Sequence, residues 1–357
     1  MSVYIKFIIK TFLKSFLYVF LIILSLVFIL NVLSELEFFR NIEVKSLFPI
    51  YISLLNSPSL IFEMFPFIFL ISTQDFFINL FNDNQIEIFK YSGLKNSKIL
   101  GIVSFFSFFL GILIITLFYN FSSNLKNVYL ELKNKYSTDD KYLAVITKNG
   151  LWIKDKVNKK INIINASKID GVFLIDTFIT QFNENYEVQK NIKSEKINIK
   201  DREWLAYNAK IYMGKSNEEV PEFKIYSNFD YQKIQSLFSN LSSLSIFELF
   251  DLKHNYKSLN YSVTEVNLQI LKVISYPVYL TLMTILSSII MFNTKSFKSS
   301  TFKISVGLFA SVIIYYINNF FNVMGKTEKL SLTISIWMPL FILILINTML
   351  LYRINEK

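Results

Sequence analysis

Five long stretches of this chain carry no charged side chain, and nothing else in the sequence restricts the possible folds so strongly. They run from Ser15 to Ser34, Ile99 to Leu125, Val273 to Thr294, Ile304 to Gly325 and Leu330 to Tyr352. A helix needs about 20 mostly apolar residues to cross a hydrocarbon core of about 30 Å, because without water its backbone polar groups must pair internally. A sixth stretch, Ser46 to Gln74, is interrupted only by Glu63 and contains Pro58 and Pro66. A membrane helix tolerates such prolines when neighbouring groups satisfy the freed carbonyls. The sequence therefore predicts six transmembrane helices, three before residue 126 and three after residue 265.

The charges are distributed to match. Residues 126 to 265 hold 21 basic and 18 acidic side chains, whereas the other 217 residues hold only 16 and 9. Orientation follows from basic residues in short loops. With the N-terminus inside, the inner segments carry Lys6, Lys10, Lys14, Lys90, Lys95, Lys98, Lys295, Lys298, Lys303, Arg353 and Lys357, eleven in all, against Arg40, Lys45, Lys326 and Lys329 outside. Both termini are expected inside and the hydrophilic insert outside. The first apolar run is too long for a cleaved secretory signal, and Asn31-Val32-Leu33-Ser34-Glu35 offers no small-x-small cleavage site.

From Tyr142 to about Ser236 the pattern becomes short β-prone runs separated by Asn, Asp, Gly and Lys: Leu151 to Ile153, Lys160 to Ile164, Gly171 to Ile175, Glu195 to Lys200 and Trp204 to Tyr207. Such spacing predicts a sandwich or an open jellyroll-like sheet, whose edge and apolar interior can accept another sheet or a greasy ligand. Leu241 to Leu252 is expected to form a short amphipathic helix at the membrane surface.

Several chemistries find no support. The eight glycines form neither a GxxxxGK[ST] phosphate loop nor a GxGxxG turn. His254 is the single histidine and there is no cysteine, so no metal site or nucleophilic triad is expected and His254 reads as a solvated loop residue. Asp139-Asp140 and Glu218-Glu219 are sequence neighbours that point apart, and they read as solvated turns. The scattered basic residues argue against nucleic-acid binding. No catalytic residue, cofactor or metal is expected. Glu63, within a span where a charge costs roughly 2.5 to 3.5 kcal/mol, should face a protein or water interior or pair with a base near the outer end.

Local patterns add a resemblance over nearly the whole chain. Ser57-Pro58 followed by Phe62-Glu63-Met64-Phe65-Pro66, the inner segment Ile86-Glu87-Ile88-Phe89-Lys90-Tyr91-Ser92-Gly93-Leu94, and the three-plus-three layout around a β-domain resemble the LptF/LptG permease family. That family extracts lipopolysaccharide from the inner membrane of Gram-negative bacteria. Gly150 to Asp155, Asp201-Arg202-Glu203-Trp204 and Ile336-Trp337-Met338-Pro339 are similar to the G member more than to the F member. One position departs: the family usually places a Glu eight residues before the coupling Gly, and here Gln85 stands there. Glu87, about 200° further around a helix, does not share its face.

The resemblance implies a polytopic inner-membrane subunit with residues 1–125 as helices one to three, 126–265 as a periplasmic β-jellyroll-like domain and 266–357 as helices four to six. It implies a paralogous partner subunit in a heterodimer, a cytoplasmic LptB-like ATPase dimer that hydrolyses the ATP, and a periplasmic LptC/LptA-like bridge protein. A coupling helix at about 84–94, with Gln85, Glu87, Phe89, Lys90 and Gly93, would dock its apolar side on the ATPase. Arg40, Lys45, Lys126, Lys272, Lys326 and Lys329 would form a basic rim for lipopolysaccharide phosphates above an apolar wall. The competing readings are a mechanotransmission-type ABC subunit, whose four-span plan six spans oppose, and a membrane assembly scaffold.

Overall fold

The structure is a computed structural model that describes residues 3–134, 136, 142–147, 150–157, 160–214, 216–231, 234, 241–258, 262–293 and 299–355. Asp139, Asp140, Lys295, Lys298 and Lys357, weighed above, lie outside the described residues. The chain divides into two compact units, Met1–Tyr129 with Asn267–Lys357, and Leu130–Val266.

The first unit is helical. Its long helices are α1 (Val3–Phe38), α2 (Phe48–Asn82) and a continuous span built from α4 (Asn96–Leu113), a π-helical segment (Ile114–Tyr119) and α5 (Asn120–Asn134). The short α3 (Gln85–Tyr91) lies between α2 and α4. The insert ends with α6 (Ile246–Ser258), and after it come α7 (Thr264–Asn293), α8 (Ser300–Lys326) and α9 (Leu332–Asn355). Among the described residues these give six helices long and apolar enough to cross a membrane, as the charge-free runs predict. Each extends past its run into charged residues, because helical propensity continues where hydrophobicity stops.

Burial differs sharply among the spans. In the most apolar window of each, 78% of α7 is buried but only 22% of α1 and 17% of α8. Helix α7 is the central post. Its Ser287 hydroxyl donates to the Leu70 carbonyl of α2 at 2.7 Å, its Thr284 to Ser107 of α4 at 3.2 Å, and its Leu282 carbonyl accepts from Asn347 of α9 at 3.1 Å. Gly111 lets α4 approach α7 closely, since a Cβ there would lie 2.9 Å from Pro277 Cα.

The second unit is a single antiparallel sheet of seven described strands in sequential order: β1 (Tyr142–Thr147), β2 (Gly150–Val157), β3 (Lys160–Asp170), β4 (Phe173–Phe182), β5 (Val188–Asn198), β6 (Glu203–Met213) and β7 (Ser216–Tyr226). The open-sheet expectation therefore holds over the sandwich. Its strands are longer than the sequence patterns suggest, and Glu218-Glu219 lies in β7 rather than in a turn, with Glu219 paired to Lys210 at 2.6 Å.

The strands outrun the sequence patterns because of a crease. Pairing lapses along one row, Ser167, Asp176, Glu195, Asn208 and Pro221, across β3 to β7, while the register is the same on both sides of that row. Asp176 and Asn208 have left-handed φ values of 47° and 49°, and Gly150 at the β2 end of the row has +112°. Side chains alternate across a strand, so one extra residue reverses the inward set. The buried residues change phase accordingly: Ile164 and Ala166 then Ile169, Leu174 then Thr177 and Ile179, Trp204 and Ala206 then Ala209 and Ile211. Ser194 Oγ bonds the Lys196 and Tyr207 carbonyls at 2.9 and 2.7 Å, satisfying groups beside the crease.

The bent sheet encloses one core that includes Leu151, Ile164, Leu174, Ile197, Trp204 and Phe229. It is fastened where the chain leaves β7. The buried Asp155 carboxylate of β2 accepts from Ser227 Oγ at 2.7 Å, Asn228 N at 3.0 Å and Asn228 Nδ2 at 2.8 Å, and Trp204 Nε1 donates to the Phe229 carbonyl at 2.7 Å. Beyond it, α6 starts with a capping box: the Glu248 carboxylate accepts from Ser245 N and Oγ. Phe247 and Phe250 of α6 are exposed and Leu249 is buried. His254 is exposed as expected, but on this helix rather than in a loop.

The crease makes a direct prediction. Asn208 is exposed, so its substitution acts through the backbone alone. Asn208→Val should destabilise the sheet by about 2 kcal/mol and Asn208→Gly by less than about 0.5 kcal/mol, measured by thermal loss of the buried Trp204 signal.

Candidate functional site

The segment after α2 is shaped by two backbone devices. Asn84, at φ 54°, breaks α2 from α3. At the other end Gly93, at φ +77°, allows its N–H to bond the Lys90 carbonyl at 2.9 Å and the Leu94 N–H to bond the Phe89 carbonyl at 2.8 Å, which is a Schellman cap. Helix α3 so held packs Ile86, Phe89 and Leu94 onto a cluster with Ile8, Phe12, Phe76, Phe77 and Ile99, and the Phe89 ring meets Phe7 of α1 edge-on at 6.1 Å.

Phe89 is partly buried and faces inward, where it anchors α3 to the helical core. The residues presented outward are Glu87, Ile88, Lys90 and Tyr91, with Ile88 59% and Tyr91 90% exposed. Gln85 donates through Nε2 to Asp83 Oδ2 at 3.3 Å. A carboxylate thus does stand beside Gln85, although it comes from Asp83. The sequence held that signal two residues upstream.

The alternation of the spans places five of the six basic candidates at one end of the helices. Arg40 and Lys45 lie exposed in the α1–α2 loop, and Lys326 and Lys329 lie exposed at the α8–α9 turn. That turn is a second Schellman cap with Glu328 at φ 57°. Lys126 differs. Its Nζ donates to Asn56 Oδ1 at 2.6 Å and sits 5.0 Å from the centre of the Tyr129 ring. Asn56 continues to Asn31 at 3.0 Å, Asn31 to the Ser53 carbonyl at 2.9 Å, and Tyr129 OH donates to the buried Glu35 at 2.7 Å. Lys126 therefore belongs to a polar clasp joining α1, α2 and α5, which residue spacing could not reveal. Lys272 lies two turns inside α7, in a cleft with Glu63.

Below this end the bundle is lined with aromatic rings. Phe65 packs on Phe16, Phe20 and Phe118, and Phe62 stacks on Tyr276 with centroids 4.7 Å apart. Pro66 cannot donate to the Phe62 carbonyl one turn earlier, and the Tyr276 hydroxyl supplies that donor from α7. Tyr276→Phe should lower the thermal midpoint of the detergent-solubilised protein, at a cost of about 1–3 kcal/mol. The same change in a Pro66→Ala background should cost little, because the backbone N–H gained at position 66 restores the helical bond; equal losses in both backgrounds would refute this assignment.

Comparison with known proteins agrees with this architecture. The family model for the lipopolysaccharide export system permease LptF/LptG matches residues 6–353. No curated protein matches the chain. Six membrane-capable helices and a match to a transport-permease family identify a multi-pass membrane protein. With all six spans and the inserted sheet inside the matched region, the chain belongs to the LptF/LptG family of lipopolysaccharide export permeases.

Proposed function

We propose that this chain is one permease subunit, closer to LptG than to LptF, of an ABC-type exporter that lifts lipopolysaccharide from the outer leaflet of the inner membrane. The observation that carries the reading is α3: a short helix anchored inward by Ile86 and Phe89 and displaying Ile88 and Tyr91 outward. An apolar pair held on a capped, rigid helix is what a groove on a separate ATPase dimer could grip. Asp83, beside Gln85, supplies the negative charge that the usual family Glu would bring.

Lipopolysaccharide joins acyl chains, each worth about 0.8 kcal/mol per buried CH₂, to anionic phosphates. Arg40, Lys45, Lys326 and Lys329 form the exposed basic rim for those phosphates, and Lys126 positions the rim by clasping the helix ends. The sparsely buried α1 and α8 present long apolar faces to a paralogous second subunit, the two together enclosing the lipid. The excess of basic residues at the α3 end supports a cytoplasmic position for that end and both termini. The sheet then lies in the periplasm, where its edge strand extends into an LptC/LptA-like bridge. The G-like assignment is supported by Gly150, whose +112° φ and whose Cβ position 2.2 Å from the Ala166 oxygen exclude any side chain. Trp204 and the cleft residue Ile336 occupy the other two G-like motifs.

Ile88→Asp with Tyr91→Ala should abolish co-purification of the ATPase dimer and lipid release from proteoliposomes while leaving insertion and thermal midpoint unchanged. Retained release would refute docking through α3. Charge reversal at Arg40 and Lys45 together should cut lipopolysaccharide photocrosslinking about tenfold, the loss of two charge-assisted contacts; undiminished crosslinking would remove both from the rim.

A further inference from the structure

Glu63 and Lys272 take no part in the coupling segment, the exposed rim or the clasp, yet they share one cleft. It lies between α2, α7, α8 and α9 and has a volume of about 220 Å³. Tyr279, Asn318, Asn319 and Asn322 are among its other polar lining residues. Among the described residues the Glu63 and Lys272 head groups have neither an ion pair nor a hydrogen bond, and the buried Oδ1 of Asn322 has no partner. Phe62, Pro66, Ile336 and Leu340 make the rest of the wall apolar.

Depth narrows the occupant. Lys272 is eight residues into α7 and Asn322 four residues from the end of α8, or about 12 and 6 Å below the helix ends. Lys272 directly precedes the charge-free run that starts at Val273, which puts that end of the cleft at the border between headgroups and hydrocarbon, while Glu63, next to the Phe62 carbonyl that Tyr276 reaches, lies about one turn deeper. A simple anion there would satisfy Lys272 but meet Glu63, and a simple cation would do the reverse. A ligand bearing an ammonium and a phosphate a few bonds apart satisfies both charges at once, and the amides can serve its remaining polar atoms.

We propose that this cleft binds the phosphoethanolamine headgroup of a membrane phospholipid, with phosphate on Lys272, ammonium on Glu63 and the acyl chains leaving along the apolar wall. The proposal stands apart from the lipopolysaccharide route, and its readout is lipid retention rather than export.

The test is native mass spectrometry of the full-length protein in detergent, titrated with short-chain phosphatidylethanolamine or phosphatidylglycerol. Wild type should retain phosphatidylethanolamine about tenfold more tightly, the value of one charge-assisted hydrogen bond. Glu63→Gln should erase that preference by weakening phosphatidylethanolamine alone, Lys272→Gln should weaken both lipids, and Glu63→Asp should keep the preference. Asn322→Leu alters neither charge and should weaken phosphatidylethanolamine by a smaller factor, which keeps the test decisive if a charge variant does not fold. Equal retention of the two lipids, tighter phosphatidylglycerol, or a Glu63→Gln variant that behaves as wild type would overturn the proposal. Complete displacement of the lipid by soluble phosphoethanolamine would overturn the assignment to a phospholipid.

Discussion

A bilayer offers no water to a backbone carbonyl, and the helical unit is organised by how its exceptions to that constraint are met. Among the described residues, side chains that reach across to a carbonyl of another helix include five: Tyr276 to Phe62, Ser287 to Leu70, Asn347 to Leu282, Asn31 to Ser53 and Gln74 to Lys303. Between two apolar helices there is little hydrophobic force, so directed bonds and close packing must fix the neighbours. Gly307 illustrates the packing: a Cβ there would lie 2.2 Å from Gln74 Nε2, so a side chain would collide with the amide that ties α2 to α8. Three of the five bonds involve α7, the most buried span, and α1 and α8 are left as the outer faces.

The spans and their number were legible in the sequence because the signal is one-dimensional: absence of charge over a fixed length. The sheet was only half legible. Alternation has a period of two, and the row through Ser167, Asp176, Glu195, Asn208 and Pro221 reverses its phase in mid-strand. The runs are therefore bounded by the crease: Lys160 to Ile164, Gly171 to Ile175 and Trp204 to Tyr207 end near it, and Glu195 to Lys200 starts at it. β7 gives no such run because its buried face reduces to Ile225 with Val220 and Phe223 partly covered.

The candidate site was legible only in part, for a different reason. The identity of the segment from Gln85 to Gly93 shows in local spacing, but which side of so short a helix faces the core depends on α1 and α4. Spacing alone does not say that Phe89 packs against Phe7 of α1. Lys126 reads like the other interfacial lysines until Asn56, 70 residues away, is brought to its ammonium. The cleft holding Glu63 and Lys272 draws on four helices; the lone charge of Glu63 within a span is legible in the sequence, but its meeting with Lys272 is not.

The shared row in the sheet also constrains how this domain can evolve. A residue lost from one strand at that row would throw half of that strand out of alternation with both neighbours, exposing buried side chains and burying charges. A compensating deletion would have to occur in every adjoining strand simultaneously. Length variation among relatives should therefore collect in the hairpin tips, such as those bearing Gly171 and Gly214, while strand lengths stay locked together as one inherited block.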